Sequence, residues 1–338
     1  MYFDSLSLSS SKMARRPEVL VAPMEVINGI EEISRSFRNP VLTIGNFDGV
    51  HLGHVGIFDR VKDLARALGG ESLVMTFNPH PIKVLAPGNG PPLITLHEQK
   101  VHLIEAAGID VLIVVQFTIA FAQMTADEFV EQILHDKIGA RAVVVGPDYR
   151  FGRDRKGNIA FLMAMGKQFN FEVHVVPDLT VNGKEVSSSA IRSFVLAGDV
   201  ERARTMLGRD YQVSGRVVRG RDRGGRLLGF PTANLVLMEE LTPKPGVYAT
   251  EVWVGERRYQ GATNIGYNPT FGNGVLSVET HLIDFSGDLY GKTLQVRFVR
   301  RLRDEKAFSG PAELAAQIQR DVQKAREILA RHWKETEN

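Results

Sequence analysis

Between Val41 and Val176, short and mainly apolar runs alternate with longer amphipathic segments, and this alternation limits the possible folds more than any other feature of the chain. The runs are Val41–Gly45, Ser72–Phe77, Val111–Phe117, Ala142–Gly146 and Phe171–Val176. A strand that is apolar along most of its length is buried on both faces, as in a parallel sheet covered by helices. The segments between them, roughly His54–Leu68, Leu96–Ala107, Thr125–Lys137 and Asn158–Phe169, read as those helices. Gly69-Gly70 stops the first, and Thr125 with Glu128 has the spacing of a capping box. The first half is therefore expected to be α/β, built from βαβ units, with ligands beyond the carboxyl ends of the strands.

The period changes near Tyr211. YQVSGRVV, GVYATEVWVG, RRYQGATNIG, VLSVETHLID and LQVRFVR alternate polar and apolar residues, with Gly, Pro and Asn between them. They predict an antiparallel sheet or small β-barrel. A helix of about 20 residues follows, with Pro311 in its first turn. Leu314, Ile318, Val322, Ala325 and Leu329 line one of its faces, which is expected to pack on the barrel; a partner-binding helix is the alternative. At 338 residues the chain is long for one core. The expected division is a leader at 1–17, an α/β module at 18–200, a connector at 201–210 and a β-barrel module with its helix at 211–338. The leader reads as disordered or as the product of an early start, with Met13 an alternative first residue.

With no cysteine, thiolate catalysis, disulfides and cysteine–zinc sites are excluded. The balance of 41 basic and 39 acidic residues gives no reason by itself to expect a nucleic-acid or membrane partner. No apolar run approaches the roughly 20 residues of a membrane-spanning helix. A cytoplasmic protein acting on small molecules is expected, with self-association left open.

GNFDGVHLGH at Gly45–His54 lies at the carboxyl end of the first apolar run and opens a helix. Such turns bind phosphate through free N–H groups and the helix dipole. Here two histidines stand where a P-loop has its lysine. Histidines aimed at a phosphate can stabilise charge that grows during nucleotidyl transfer. Gly45 and Gly53 allow close approach, and Phe47 belongs to the same turn. A solvated or structural pair, or a metal site, are the alternatives; no nearby ligand set completes the latter. Asp148, after the fourth run, is placed to bind ribose or an adenine amino group, and Phe151 to stack on a flat ring. Ser188 and Ser189 either cap a helix or, with Arg192, cradle phosphate. Phe77 and Asn78 lead into the rigid turn NPHP and are candidates for the second substrate.

The segment Gly215–Leu235, GRVVRGRDRGGRLLGFPTANL, begins with five arginines and one aspartate. It reads as a phosphate flap whose glycines include Gly220, Gly225 and Gly229, or as an RNA-binding stretch. Thr232 and Asn234, two apart on an extended chain, share a face and are oxygen donors suited to Mg²⁺. Glu279, in SVETHLIDF, is the candidate base for deprotonating an alcohol.

The first set of motifs resembles the HIGH-type nucleotidyltransferases. Together with PTAN, NIGYNPTFG, DLYGK and RLRDEKAF, they resemble the bacterial bifunctional riboflavin kinase/FAD synthetases over roughly Glu18–Arg331. The resemblance implies a Rossmann-like nucleotidyltransferase domain with a parallel sheet, followed by a riboflavin kinase barrel. It implies ATP as co-substrate of both, riboflavin, FMN and FAD as substrates or products, and Mg²⁺. His51, His54, Ser188, Ser189 and Arg192 would handle the ATP phosphates in the first step, and Glu279 would serve the second site. Family members often have threonine where this chain has Ser189; the hydroxyl is kept.

Overall fold

The computed structural model describes residues 23–219, 229–238, 240–267 and 276–336. The expected leader, the flap glycines Gly220 and Gly225, and much of NIGYNPTFG lie outside them.

Among the described residues, six parallel strands form one sheet in the order β1-β4-β3-β2-β5-β6. They are β1 (Glu25–Asn28), β2 (Val41–Ile44), β3 (Ser72–Asn78), β4 (Val111–Gln116), β5 (Ala142–Val145) and β6 (Glu172–Val175). The apolar runs are buried throughout β2 and β5, as double-sided cover requires. β1 was not legible as a strand: EVIN is short, and only its third residue is buried. The strand order reverses between β2 and β5, the switch point at which open α/β sheets take ligands.

The Thr125 capping box forms, with both reciprocal bonds present. The helix it opens continues as a π-helix over Phe129–Ile138 and ends at Gly139 in the left-handed conformation. A two-stranded hairpin, β7 (Thr180–Val181) and β8 (Lys184–Glu185), precedes the helices Ser188–Ala197 and Val200–Leu207.

The second half is a closed antiparallel barrel in the order β10-β13-β12-β11-β14-β9. Its strands are β9 (Tyr211–Val218), β10 (Ala233–Leu237), β11 (Gly246–Val254), β12 (Arg257–Tyr267), β13 (Leu276–Leu282) and β14 (Thr293–Arg303). The hydroxyls of Thr250, Thr263 and Thr280 satisfy one another inside it at 2.9 and 3.0 Å, so buried polar groups carry no penalty there. The closing helix, Pro311–Thr336, is longer than expected. It packs Ala325, Ile328 and Leu329 on Ala249, Ile283 and Val299 of the barrel's outer surface.

The helices Ser188–Ala197 and Val200–Leu207 pack with the barrel. Ile191, Val195, Val200, Ala203 and Met206 share one buried cluster with Tyr211, Val213 and Tyr248. Within the expected connector, residues 201–207 are helical, and Ala203, Met206 and Leu207 contribute to the core.

Candidate active sites

The histidine turn joins β2 to the helix Leu52–Ala67, which starts before the expected His54. The reason is the cap: His51 is the N-cap, and its Nδ1 accepts the His54 backbone N–H at 3.3 Å. Histidine is an unusual residue for that role, which normally falls to Ser, Thr, Asp or Asn. Because Nδ1 accepts, a neutral His51 carries its proton on Nε2 and can donate there. The two imidazoles stack with centroids 3.5 Å apart. A side chain on Gly53 would bring a Cβ within 3.2 Å of the His51 ring, so the glycine keeps room for the pair.

Both histidines are held neutral. Burial, opposed by Asp48 and reinforced by Arg209, pushes His51 down to about 4. Burial, then His51, Lys100 and Arg209, pushes His54 well below the usual histidine range. The folded chain therefore binds fewer protons here than the unfolded one between pH 6.5 and about 4. Stability contributed at this site is complete above that window and falls as pH falls through it. Titration of the ring protons by NMR is expected to show neither imidazole protonating between pH 8 and 5.5; a midpoint near 6.5 for either would contradict the burial argument.

Fixed charge at the turn comes from residues given no role from the sequence. Lys100 is buried, and desolvation brings its ammonium down to about 8. It donates to Asn46 O at 3.1 Å and Thr76 Oγ1 at 3.0 Å, tying the ends of β2 and β3 together. Asp48 is buried and accepts from the backbone N–H groups of Ile94 at 3.0 Å and Thr95 at 3.1 Å. It also accepts from Arg192 Nη2 at 2.5 Å, with both side chains largely removed from solvent. Breaking such a pair costs about 3–5 kcal/mol.

The structure corrects several expectations. Ser187, not Ser188 or Ser189, caps the helix Ser188–Ala197. Ser188 donates its hydroxyl to Asp48 O at 2.9 Å and so docks that helix on the turn; Ser189 is exposed. Arg192 reaches the turn, where its Nη2 donates to Asp48 and its Nε to Pro92 O. Phe47 is buried, 4% exposed, with its ring edge-on to His54 at 5.2 Å. Gly45 makes space for that ring, since a Cβ there would lie 2.9 Å from Phe47 Cζ. Phe151 is a core residue, buried among Phe129, Tyr149 and Phe161, and is not free to stack on a ligand. Phe77 is half-buried against Phe117 and Phe121, with Asn78 exposed beside it at the end of β3. Asp148 is exposed at the end of β5. Asn78 and Asp148 thus follow the two strands that flank β2.

The second site lies on the outside of the barrel. Val278, Thr280 and Leu282 point inward, which turns Glu279 outward. Glu279 stands in register with Asn234 on β10 and with Asn264 on β12, so the three share one face. Thr232 precedes Asn234 by two residues and lies with Glu279 on a cavity of about 290 Å³. The closing helix forms its opposite wall through Leu314 and Ile318. Burial alone raises the Glu279 carboxyl above its usual range. His281 donates through Nδ1 to Pro231 O at 2.8 Å, fixing the approach to Thr232. Gly229, at the start of this stretch, is exposed with φ +80°, a backbone suited to glycine. Asn264 lies in NIGYNPTFG, and its place beside Glu279 is set only by strand register across the barrel.

A family model for FAD synthetase matches residues 33–190, and one for riboflavin kinase matches residues 207–329. The bifunctional riboflavin kinase/FMN adenylyltransferase of Escherichia coli strain K12 is 36% identical over 308 residues, covering 90% of this chain and 98% of that one. The chain belongs to this family. The Haemophilus influenzae enzyme of the same name is 35% identical over 304 residues, covering 90% and 98%. A crystal structure described as a macrolide-efflux protein from Streptococcus pneumoniae, 32% identical, superposes with a TM-score of 0.81 over 90% of this chain and 99% of that one. Among the described residues, no helix is long and apolar enough to cross a membrane. The protein is a transferase with riboflavin kinase and FMN adenylyltransferase activities.

Proposed function

We propose that each activity belongs to one of the two sites. The histidine turn at the end of β2 transfers AMP from ATP to FMN, and the outer barrel face around Glu279 phosphorylates the ribityl 5′-hydroxyl of riboflavin. The observation that carries this reading is the contrast in chemistry. The turn of the first site offers neutral donors, a helix N-terminus and buried cations, and its carboxylate, Asp48, is already bonded. That suits a nucleophile already ionised, a phosphate attacking a phosphate. His51 and His54 would bind the oxygens on which charge grows, strengthening their bonds in the transition state. The second site offers a desolvated carboxylate in a cavity, which suits removing a proton from an alcohol.

Thr232 and Asn234 supply hard oxygen donors beside Glu279, and this donor set fits Mg²⁺. Bound there, the ion would offset charge on the ATP phosphates. The N-terminal module is taken as 18–200 and the kinase module as 211–338, with 201–210 between them. At the first site Asp148 and Asn78, exposed at the strand ends, are the candidates for nucleotide and flavin contacts.

The purified chain, incubated with riboflavin, ATP and Mg²⁺, is expected to accumulate FMN first and FAD afterwards on chromatography. FMN without FAD would leave the histidine turn with a different acceptor. FAD formed from added FMN, with no FMN from riboflavin, would remove the kinase role from the barrel face.

A further inference from the structure

We propose that Arg209, in the connector between sheet and barrel, is a positioning residue for adenylyl transfer that clamps the histidine turn from the barrel side. This rests on reading that turn as the adenylylation site. Arg209 Nη1 donates to Val50 O at 3.0 Å and to Leu207 O at 3.2 Å, and Nη2 donates to Gly49 O at 2.5 Å. Gly49 and Val50 immediately precede His51. The guanidinium fork thus binds the carbonyls on the backbone that aims the imidazole.

The turn needs such a clamp. Phe47 and Val50 have φ of +47° and +38°, a region unfavourable for any side chain and most of all for a β-branched one. Strain of this kind persists only where the surroundings over-determine it. Three contacts do so: Gly49 N–H donates to Thr95 Oγ1 at 3.0 Å, Asp48 holds the 94–95 backbone, and Arg209 holds the far side.

Arg209 also ties the turn to the barrel. It lies two residues before Tyr211, which opens β9. Gly208 before it is left-handed, and a Cβ there would meet Leu52 Cδ2 at 2.6 Å, so the connector runs against the first residue of the histidine helix. A second route reaches the same turn: the Tyr211 hydroxyl donates to Leu241 O, Leu241 N–H donates to Leu93 O at 2.9 Å, and the next residue, Ile94, binds Asp48. The kinase barrel thereby supplies part of the scaffold of the other site, whereas Glu279 lies on the barrel's outer face under the closing helix.

The test uses the full chain carrying Arg209→Gln, Arg209→Lys or, as reference, His54→Ala. Arg209→Gln is expected to lower kcat for FMN adenylylation about 10- to 100-fold, the cost of misplacing reacting groups by roughly an ångström. KM for ATP should move less than kcat, and riboflavin phosphorylation should stay at the unsubstituted rate. A separate readout is the NMR titration of the histidines, which face Asp48, Lys100 and Arg209 as well as each other. Loss of the guanidinium charge should raise the pH at which both protonate. Arg209→Lys should return that pH toward its original value without restoring kcat, because the charge is kept and the two-carbonyl fork is not. Unchanged adenylylation in Arg209→Gln, with His54→Ala inactive, would overturn the proposal. Equal loss of both activities would reduce Arg209 to a folding residue. Adenylylation intact in His54→Ala as well would instead overturn the assignment of the site. If the glutamine variant does not fold, Arg209→Lys decides: lost adenylylation with intact kinase supports the clamp, and full activity of both overturns it.

Discussion

Glu279→Gln is expected to slow riboflavin phosphorylation by roughly 10²–10⁴-fold, the contribution of a positioned general base, and to leave FMN adenylylation untouched. The amide keeps the size of the carboxylate and its place between Asn234 and Asn264, so the loss reports proton removal and not packing. Burial raises the Glu279 carboxyl, so it stays protonated to a higher pH than an exposed glutamate. A base works only when deprotonated. The acid limb of the kinase pH profile should therefore lie above that of an ordinary carboxylate, with the rate falling as pH falls through it, and should vanish in the variant. The same shift implies a cost to folding at neutral pH, where a desolvated charge is retained. Glu279→Gln should accordingly unfold at the same or a higher temperature than the parent. Full kinase activity in the variant would remove Glu279 from the base role; lost activity with a lowered Tm would point to disrupted packing instead.

The architecture was legible because its two halves use different periods. Mainly apolar runs marked β2 to β6, and alternation marked five of the six barrel strands. β10 was hidden in PTANL, recognised as extended chain for its side-chain chemistry but too short to show a period. Both histidines and Glu279 were found because imidazole and carboxylate carry recognisable chemistry. Their supports were not. Lys100 looks like a solvated residue on a polar helix, and only the packing of that helix against the ends of β2 and β3 buries it. Arg209 looks like part of a linker. Phe151 was misread for the opposite reason: an aromatic ring beside a motif suggests stacking, but this one is buried against other rings of the fold. Sequence spacing indicates which residues occupy a turn, whereas tertiary contacts decide which side chains line its mouth and which fill its base.

His54→Ala is expected to slow FMN adenylylation by roughly 10²–10³-fold, as for loss of one preorganised donor at an oxyanion-type site, and to spare the kinase. His54 is the third residue of its helix, where free backbone N–H groups and the positive end of the dipole already favour an anion. Its ring is fixed before any ligand arrives, by stacking on His51 at 3.5 Å and by the edge contact with Phe47. Its Nδ1 is buried without a hydrogen-bond partner among the described residues. Because the imidazole is neutral in the free protein, its contribution should grow as negative charge develops on the phosphates. The loss should then fall mainly on kcat and only weakly on KM for ATP. His51→Ala should produce a loss of similar kind, since it removes both a ring donor and the cap of the helix. The stacked pair acts as one unit, so the double variant should lose less than the product of the two single losses. Adenylylation unchanged in His54→Ala would refute the site. Strictly multiplicative losses would show instead that the two histidines act on separate atoms without supporting each other.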